Sequence, residues 1–258
     1  MPTGYKDKNT LASISLSNVT VSFPVFDGGS RSLKRRLVSA TTGGRIARDS
    51  GNHLSIHALD HVSIEIEHGD RVGLVGHNGA GKTTLLRVMA GIYEPVAGTV
   101  EVTGRVAPLF DISLGMDADQ TGYQNILLRG MFLGLSKAQI LAESDEIAEF
   151  TELGPFLDMP MRTYSAGMYA RVAFAVSTVI RPEILLLDEG IGAGDAAFLE
   201  KAQKRLDEFV QSAGIFVLAS HTESFVRQTC NKAILLDHGR VALVSTVDEV
   251  FTKYNQRG

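Results

Sequence analysis

Only one cysteine, Cys230, occurs among 258 residues. An intrachain disulfide is therefore excluded, and the count fits a reducing cytosol. Long apolar runs are missing too: none approaches the ~20 residues that a membrane-spanning helix needs. The opening stretch MPTGYKDKNT holds no apolar segment, so no secretory leader is expected. A strong excess of either charge is missing as well, with 25 Lys and Arg against 29 Asp and Glu. The formal net charge is −4, and this mild acidity argues against a nucleic-acid binder, whose footprint is a basic face. Internal repeats and low-complexity tracts are absent from the sequence. What is present, 44% hydrophobic and 21% charged residues, is the composition of a globular chain large enough for a full core and a second lobe.

The pattern along the chain alternates strands with helices. From Leu11 to Phe26, apolar and polar residues alternate, which predicts an antiparallel strand. Residues 27–53 then turn rich in Gly, Ser and Arg, with Arg31, Lys34, Arg35, Arg36, Arg45 and Arg48. They read as a basic excursion between strands, with a short helix over Ser32–Ala40. ALDHVSIEIEHGD resumes a strand, RVGLVG is a short buried one, and Lys82–Ala90 is helical. TVEVTGRVAPLF reads as further strand, and Gln124–Gly154 and Met168–Ile180 as helix. EILLLDE and GIFVLAS are buried strands on either side of a helix over Ala196–Ser212. AILLDHGRVALVS predicts a hairpin turning at Asp-His-Gly. Strands alternating with helices imply an α/β core built on a parallel sheet.

Gly76–Thr84, GHNGAGKTT, fits G-x-x-x-x-G-K-[ST] and lies between a predicted strand and a helix, the context the motif requires. Gly76, Gly79 and Gly81 let backbone N–H groups converge on phosphate oxygens. His77, Asn78 and Ala80 complete the loop, and the helix after it presents its positive end to the same anion. Lys82 adds a cation for the β- and γ-phosphates. The Thr83 hydroxyl suits Mg²⁺, with Thr84 beside it. In ILLLDE, Asp188 emerges at the C-terminal end of a buried strand, where such sheets bind ligands. It can orient Mg²⁺ through the ion's water shell, and Glu189 can act as general base on a water in line with the γ-phosphate.

The order of motifs resembles the ABC ATPase family: phosphate loop, helical insertion, the turn YSAGM (Tyr164–Met168), acidic strand, then a strand ending in histidine. The resemblance runs from Leu16 to Tyr254. It implies a P-loop NTPase core with a parallel sheet, an antiparallel β subdomain and a helical insertion. Residues 11–258 would form one ABC ATPase domain, with the helical subdomain over about 120–180, the basic excursion over about 27–53 and a tail at 1–10. It also implies that ATP and Mg²⁺ are bound and that two copies dimerise. Ser165, Ala166, Gly167 and Met168 of one copy would cover the γ-phosphate held by the other. Asp195 would lie at the dimer interface, and His221 would contact the γ-phosphate. Phe23 is the first candidate to stack on adenine and Phe26 the second; a core role is the alternative for both. The family usually places Gln after the strand that leads into the helical insertion. Here Phe110 is followed by Asp111, while Gln120 and Gln124 lie too far along. Either Asp111 reaches Mg²⁺ or the attacking water through a further water, or this coupling is weaker.

TGYQNILLRGMFLGLS, the Tyr-Ser-x-Gly-Met turn and DEGIGAGDAAFLEKAQKR look like the polysaccharide-export branch, which serves O-antigen, capsule and teichoic acid. The expected function is thus ATP hydrolysis on the cytoplasmic face of the inner membrane, driving a lipid-linked glycan through a separate permease. The chain ends soon after KYNQRG, so selection of glycan ends is expected to need another subunit. The competing reading is a soluble ABC ATPase acting on nucleic acid or ribosomes. It calls for coiled-coil arms between the phosphate loop and YSAGM, or for tandem cassettes, and neither is in the sequence. His53, His57 and His61 recur every four residues, but in a strand four residues span ~13 Å, too far to share one ion. Cys230 reads as core.

Overall fold

The computed structural model describes residues 11–24, 46–48, 54–110, 113–179, 182–188 and 196–256. The expected basic helix at Ser32–Ala40 lies outside them, as do Phe26, His53, Asp111, Glu189 and Asp195. In chain order the elements begin with β1 (Ser13–Pro24), β2 (Ile46–Arg48), β3 (Leu54–Glu67), β4 (Arg71–Val75), α1 (Lys82–Met89), β5 (Ala97–Thr103) and β6 (Val106–Pro108). The helices α2 (Gly122–Phe132), α3 (Lys137–Thr151) and α4 (Ala166–Ser177) follow. Then come β7 (Ile184–Asp188), α5 (Ala196–Ser212), β8 (Ile215–Ala219), α6 (Glu223–Thr229), β9 (Lys232–Asp237), β10 (Arg240–Ser245) and α7 (Val247–Asn255). The chain groups into two units. One comprises Met1–Gly104, Leu187–Glu189 and Ile215–Gly258; the other comprises Arg105–Leu186 and Gly190–Gly214.

In the first unit an antiparallel sheet runs β2-β3-β1-β5. The alternation that predicts β1 places Ile14 and Leu16 in the core, opposite Ile66 and Ile64 of β3. Two residues with positive φ, Asn18 (52°) in β1 and His61 (52°) in β3, interrupt the ladder. Bulges there return Val19 and Val62, opposite one another, to the buried face. Side chains hold the irregular backbone: Asn18 N–H donates to Ser63 Oγ (2.9 Å) and His61 N–H to Thr20 Oγ1 (3.2 Å). His57 bonds Ser22 and His61 bonds Asp60, so these two histidines have local partners and do not converge. Beside this sheet in the sequence, β4 lies parallel to both β8 and β9, in the order β10-β9-β4-β8. Val72, Leu74 and Val75, and every residue of β8, are buried. Burial on both faces explains why these strands read as unbroken apolar runs. Cys230 is half-buried at the end of α6, and burial pushes its thiol up to about 11, so the core reading fits its chemistry.

The stretch TVEVTGRVAPLF is two strands rather than one. Gly104, in the left-handed region at φ 114°, separates β5, which pairs with β1, from β6, which pairs in parallel with β7 in the second unit. The helical insertion starts at Gly122, two residues before the expected Gln124, and is broken between Phe132 and Lys137. Both helices open with capping boxes, Thr121 with Gln124 and Ser136 with Gln139. Gln124 is thereby committed: its side chain accepts from Thr121 N–H at 2.8 Å. Asn125 is fully buried and satisfied, accepting from Asp117 N–H and donating to the carbonyls of Asp117, Gln120 and Thr121. Phe150, Phe174 and Phe198 pack ring to ring, joining α3, α4 and α5.

Arg129 of α2 is 1% exposed. Its guanidinium donates to the Leu114 carbonyl and to Ser177 Oγ (3.2 Å), and lies over the Phe132 ring. A buried cation is tolerable only with such partners. Arg129→Ala should lower the unfolding free energy by about 3 kcal/mol, combining a lost charge-assisted bond with a cavity. Urea denaturation measures this; a loss below about 1 kcal/mol would show that the guanidinium is not holding the insertion together.

Candidate active site

Between the end of β4 and the start of α1, the chain must turn a strand into a helix within six residues, Gly76 to Gly81. Three of them are glycines. Gly79 (φ 78°) and Gly81 (φ 110°) adopt left-handed backbone that other residues resist. Gly76 is required by space: a Cβ there would lie 2.3 Å from the Leu236 carbonyl oxygen of β9. Ala80 N–H donates to the His77 carbonyl (2.9 Å), curling the loop, and Gly81 is the N-cap of α1 with no side chain to satisfy the first amides. A helix start without a side-chain cap is a place where an anion binds readily.

Lys82 Nζ lies within the curl, donating to the carbonyls of Gly76 (2.6 Å) and His77 (3.3 Å). Thr83 Oγ1 donates to Asp188 Oδ2 at 2.6 Å, across 105 residues of sequence. Two hard oxygens in contact at the lip of a phosphate-shaped loop are the donor set that Mg²⁺ takes beside nucleotide phosphates. The cavity here has a volume of about 320 Å³. Asn78, Gly79, the run from Gly81 to Thr84, Asp188, and Ile56 and Ala58 of β3 form its walls. That is at the small end of ligand-site volumes. Sequence reasoning missed Ile56 and Ala58. Only their register gives them away, since Ile56 pairs with Phe23 across β1 and β3. Phe23 is 38% exposed and packs edge-on against Tyr93 (centroids 5.3 Å apart), so it belongs to an exposed aromatic pair rather than the core. Arg87 of α1 holds Tyr93 by its hydroxyl at 3.0 Å.

His221 is exposed just beyond β8. Because β8 is parallel to β4, His221 leaves the sheet at the same edge as the phosphate loop. The chain at this edge is pinned by Ser220 N–H to the Leu74 carbonyl (3.4 Å) and by Thr222 N–H to Ser220 Oγ (3.0 Å).

In the second unit Ser165 is the N-cap of α4, its Oγ accepting from Met168 N–H at 3.2 Å. Ser165 and Ala166 are exposed, and Gly167 and Met168 half-exposed. The cap and an anion role are compatible, because a hydroxyl that accepts from the helix keeps its proton to donate. Tyr164 was given no role from the sequence. Its hydroxyl donates to the Phe156 carbonyl (2.6 Å) and sits where a Cβ on Gly122 would come within 2.5 Å, so it ties the turn to α2. Burial raises the Tyr164 pKa, keeping the donor protonated.

A family model described as ABC transporter matches residues 59–192. The chain is 48% identical over 231 residues to the O-antigen export system ATP-binding protein RfbE of Yersinia enterocolitica, covering 90% of this chain and 97% of that one. It is 37% identical to the O-antigen export system ATP-binding protein RfbB of Myxococcus xanthus, over 96% of this chain and 56% of the relative. Among solved structures, a dimeric ATP-binding cassette in a post-hydrolysis state with ADP and Pi superimposes with a TM-score of 0.64. Its sequence is 21% identical, over 91% of this chain and 98% of that one.

Because the Leu236 carbonyl leaves no room at position 76, Gly76→Ala must displace either β9 or the phosphate loop. It should destabilise the chain by about 1–3 kcal/mol, the scale of overpacking. An unchanged urea midpoint would mean that the strand and loop approach less closely than described.

Proposed function

The chain belongs to the ABC transporter family, in which it is an ATP-hydrolysing, ATP-binding subunit, and on that premise we propose that it powers export of a lipid-linked polysaccharide, of the O-antigen or capsule kind, through a separate permease. Support for the cargo comes from relatives named for O-antigen and teichoic acid export. No helix among the described residues is long and apolar enough to cross a membrane, which fits a subunit bound peripherally to a permease at the cytoplasmic face. The observation that carries the catalytic reading is the 2.6 Å contact between Thr83 and Asp188, since it joins the helix after the phosphate loop to the acidic strand.

In this reading the loop from Gly76 to Gly81 cradles the β-phosphate, and Lys82 exchanges its carbonyl partners for β- and γ-phosphate oxygens. Thr83 and Asp188 would hold Mg²⁺, which would neutralise charge on the phosphates. Phe23 offers the adenine a face. Glu189 takes the proton from the attacking water, and His221 orients the γ-phosphate from the adjoining strand end. Asp111 would act on the metal or on the attacking water through a further water, or this coupling would be weaker. The site is completed by a second copy: its Ser165 hydroxyl and the amides of Ala166, Gly167 and Met168 meet the γ-phosphate, with Asp195 at the seam. Splitting the site this way makes hydrolysis conditional on dimer closure, the motion a permease can use.

Glu189→Gln should retain ATP binding while slowing hydrolysis by roughly 10²–10⁴-fold, the scale of a general base. Size-exclusion chromatography should then reveal a dimer that forms only with ATP. A variant that hydrolyses at the wild-type rate would remove Glu189 from the mechanism.

Complementation tests the division between copies. Lys82→Ala and Ser165→Arg should each abolish turnover alone. Mixing them puts both defects into one of the two sites, so activity should return to as much as roughly a quarter of wild type, half the dimers being mixed and each keeping one site. A chain carrying both substitutions, mixed with wild type, should form mixed dimers with no working site. Activity in those mixed dimers, with none in the first mixture, would place the whole site within one chain.

A further inference from the structure

Three metal-capable side chains that the hydrolytic reading leaves idle meet behind the phosphate loop. His77 Nε2 lies 3.5 Å from Asp237 Oδ1, and His238 Nε2 lies 3.7 Å from the same oxygen. All three ligand atoms fall within 4.8 Å of one another. We propose that His77, Asp237 and His238 form a binding site for a borderline divalent transition-metal ion of the Zn²⁺ class. The inference is independent of the cargo and of the hydrolytic roles assigned above.

The tautomer of His77 carries the argument. Its Nδ1 is 2.8 Å from the Asn78 carbonyl oxygen. A carbonyl only accepts, so Nδ1 bears the hydrogen and, in the neutral ring, Nε2 presents a bare lone pair. That is the arrangement of a metal-bound histidine, whose second nitrogen is fixed by a backbone carbonyl. Nε2 is withdrawn from solvent and has no hydrogen-bond partner. A buried lone pair directed at a carboxylate oxygen is unfavourable unless a cation stands between them. A bridging proton would draw one pair to about 2.7–2.9 Å. A tetrahedral ion with ligand distances near 2.0–2.1 Å instead sets neighbouring ligand atoms about 3.3–3.4 Å apart. The two gaps to Asp237 Oδ1, 3.5 and 3.7 Å, need only tenths of an ångström to reach that value, and the gap between the two histidines lies within 4.8 Å.

The backbone holds the ligands in place. Asp237 ends β9, and His238 (φ 49°) and Gly239 (φ 80°) make the two-residue turn to β10. Gly239 N–H donates to the Ala80 carbonyl and its own carbonyl accepts from Asp60 N–H, both at 2.9 Å. Arg240 pairs with Asp60 at 2.6 Å, and hydrogen bonds from His61 and Arg240 hold the Asp60 carboxyl below the usual carboxylate range. The hairpin tip is thus stapled to the phosphate loop before any ion arrives. A cavity of about 560 Å³, reaching Tyr254 and Asn255, borders the three ligands and leaves room for a water in a fourth position. Two imidazoles and one carboxylate suit Zn²⁺ or Co²⁺ and do not suit Mg²⁺ or Ca²⁺, which prefer all-oxygen shells.

The test uses the full chain, stripped with EDTA and free of nucleotide. Zn²⁺ titrated against a chromogenic chelator should bind with one equivalent per chain and raise the melting temperature. Co²⁺ should give the intense visible bands of tetrahedral coordination. His238→Asn keeps a residue that tolerates left-handed φ, so it removes the ring without breaking the turn. It should weaken Zn²⁺ by at least about tenfold, as should Asp237→Asn. Thr83→Val should leave Zn²⁺ affinity unchanged, separating this site from the one at Asp188. Absence of Zn²⁺ binding, or binding that His238→Asn leaves intact, overturns the proposal, as does loss of binding in Thr83→Val.

Discussion

A single hydrogen bond, from the Thr83 hydroxyl to the Asp188 carboxylate, ties together what the rest of the site depends on. It can form only if α1 begins where the curled loop releases it and β7 ends where its aliphatic run gives out. Each condition rests on residues far from the bond. Gly76 must remain side-chain-free against the Leu236 carbonyl, or the loop lifts away from the sheet. Ile184 to Leu187 must be buried, or Asp188 does not arrive at the sheet edge. One 2.6 Å contact therefore reports on the packing of β4, β7 and β9 together.

The two halves of the proposed catalytic machinery are built by different means. The phosphate loop is a backbone device: glycines, a tight curl and a lysine turned inwards on carbonyls. The YSAGM turn is a side-chain device, in which Ser165 caps α4 and Tyr164 anchors the turn to the Phe156 carbonyl. The first presents a curl of backbone at a helix N-terminus and the second a hydroxyl with its proton free to donate. Both are suited to phosphate oxygens, which accept and never donate when ionised.

Much of this was legible in the sequence because it is local. GHNGAGKTT between an apolar run and a helix, ILLLD ending in its acid, and Asp-His-Gly between two alternating runs each carry their own geometry. What escaped was set by pairing at a distance. Gly104 reads as one more residue of a strand, until β1 claims β5 and β7 claims β6. Gln124 looks like a spare amide until the cap at Thr121 takes it. Ile56 and Ala58 reach the cavity only through the register of β3 against β1, which shifts three times along the ladder. His77 and His238 are separated by most of the chain, and no spacing rule joins them. In the regular histidine series, by contrast, His57 and His61 have separate local partners, Ser22 and Asp60.

The strand that carries the phosphate loop is made early and its partners late. Arg71 N–H bonds the side chain of Asn231, 160 residues on, and Val72 sits between Val217 and Lys232. During synthesis, at about 5–20 residues per second, β4 waits roughly 8–30 s for its neighbours. Through that interval a stretch of Val, Gly and Leu with both hydrogen-bonding edges open emerges from the ribosome, a template for mispairing. The nascent chain thus has a window in which a holdase, or a slow passage through the intervening 140 or so codons, governs how much of it reaches the native sheet.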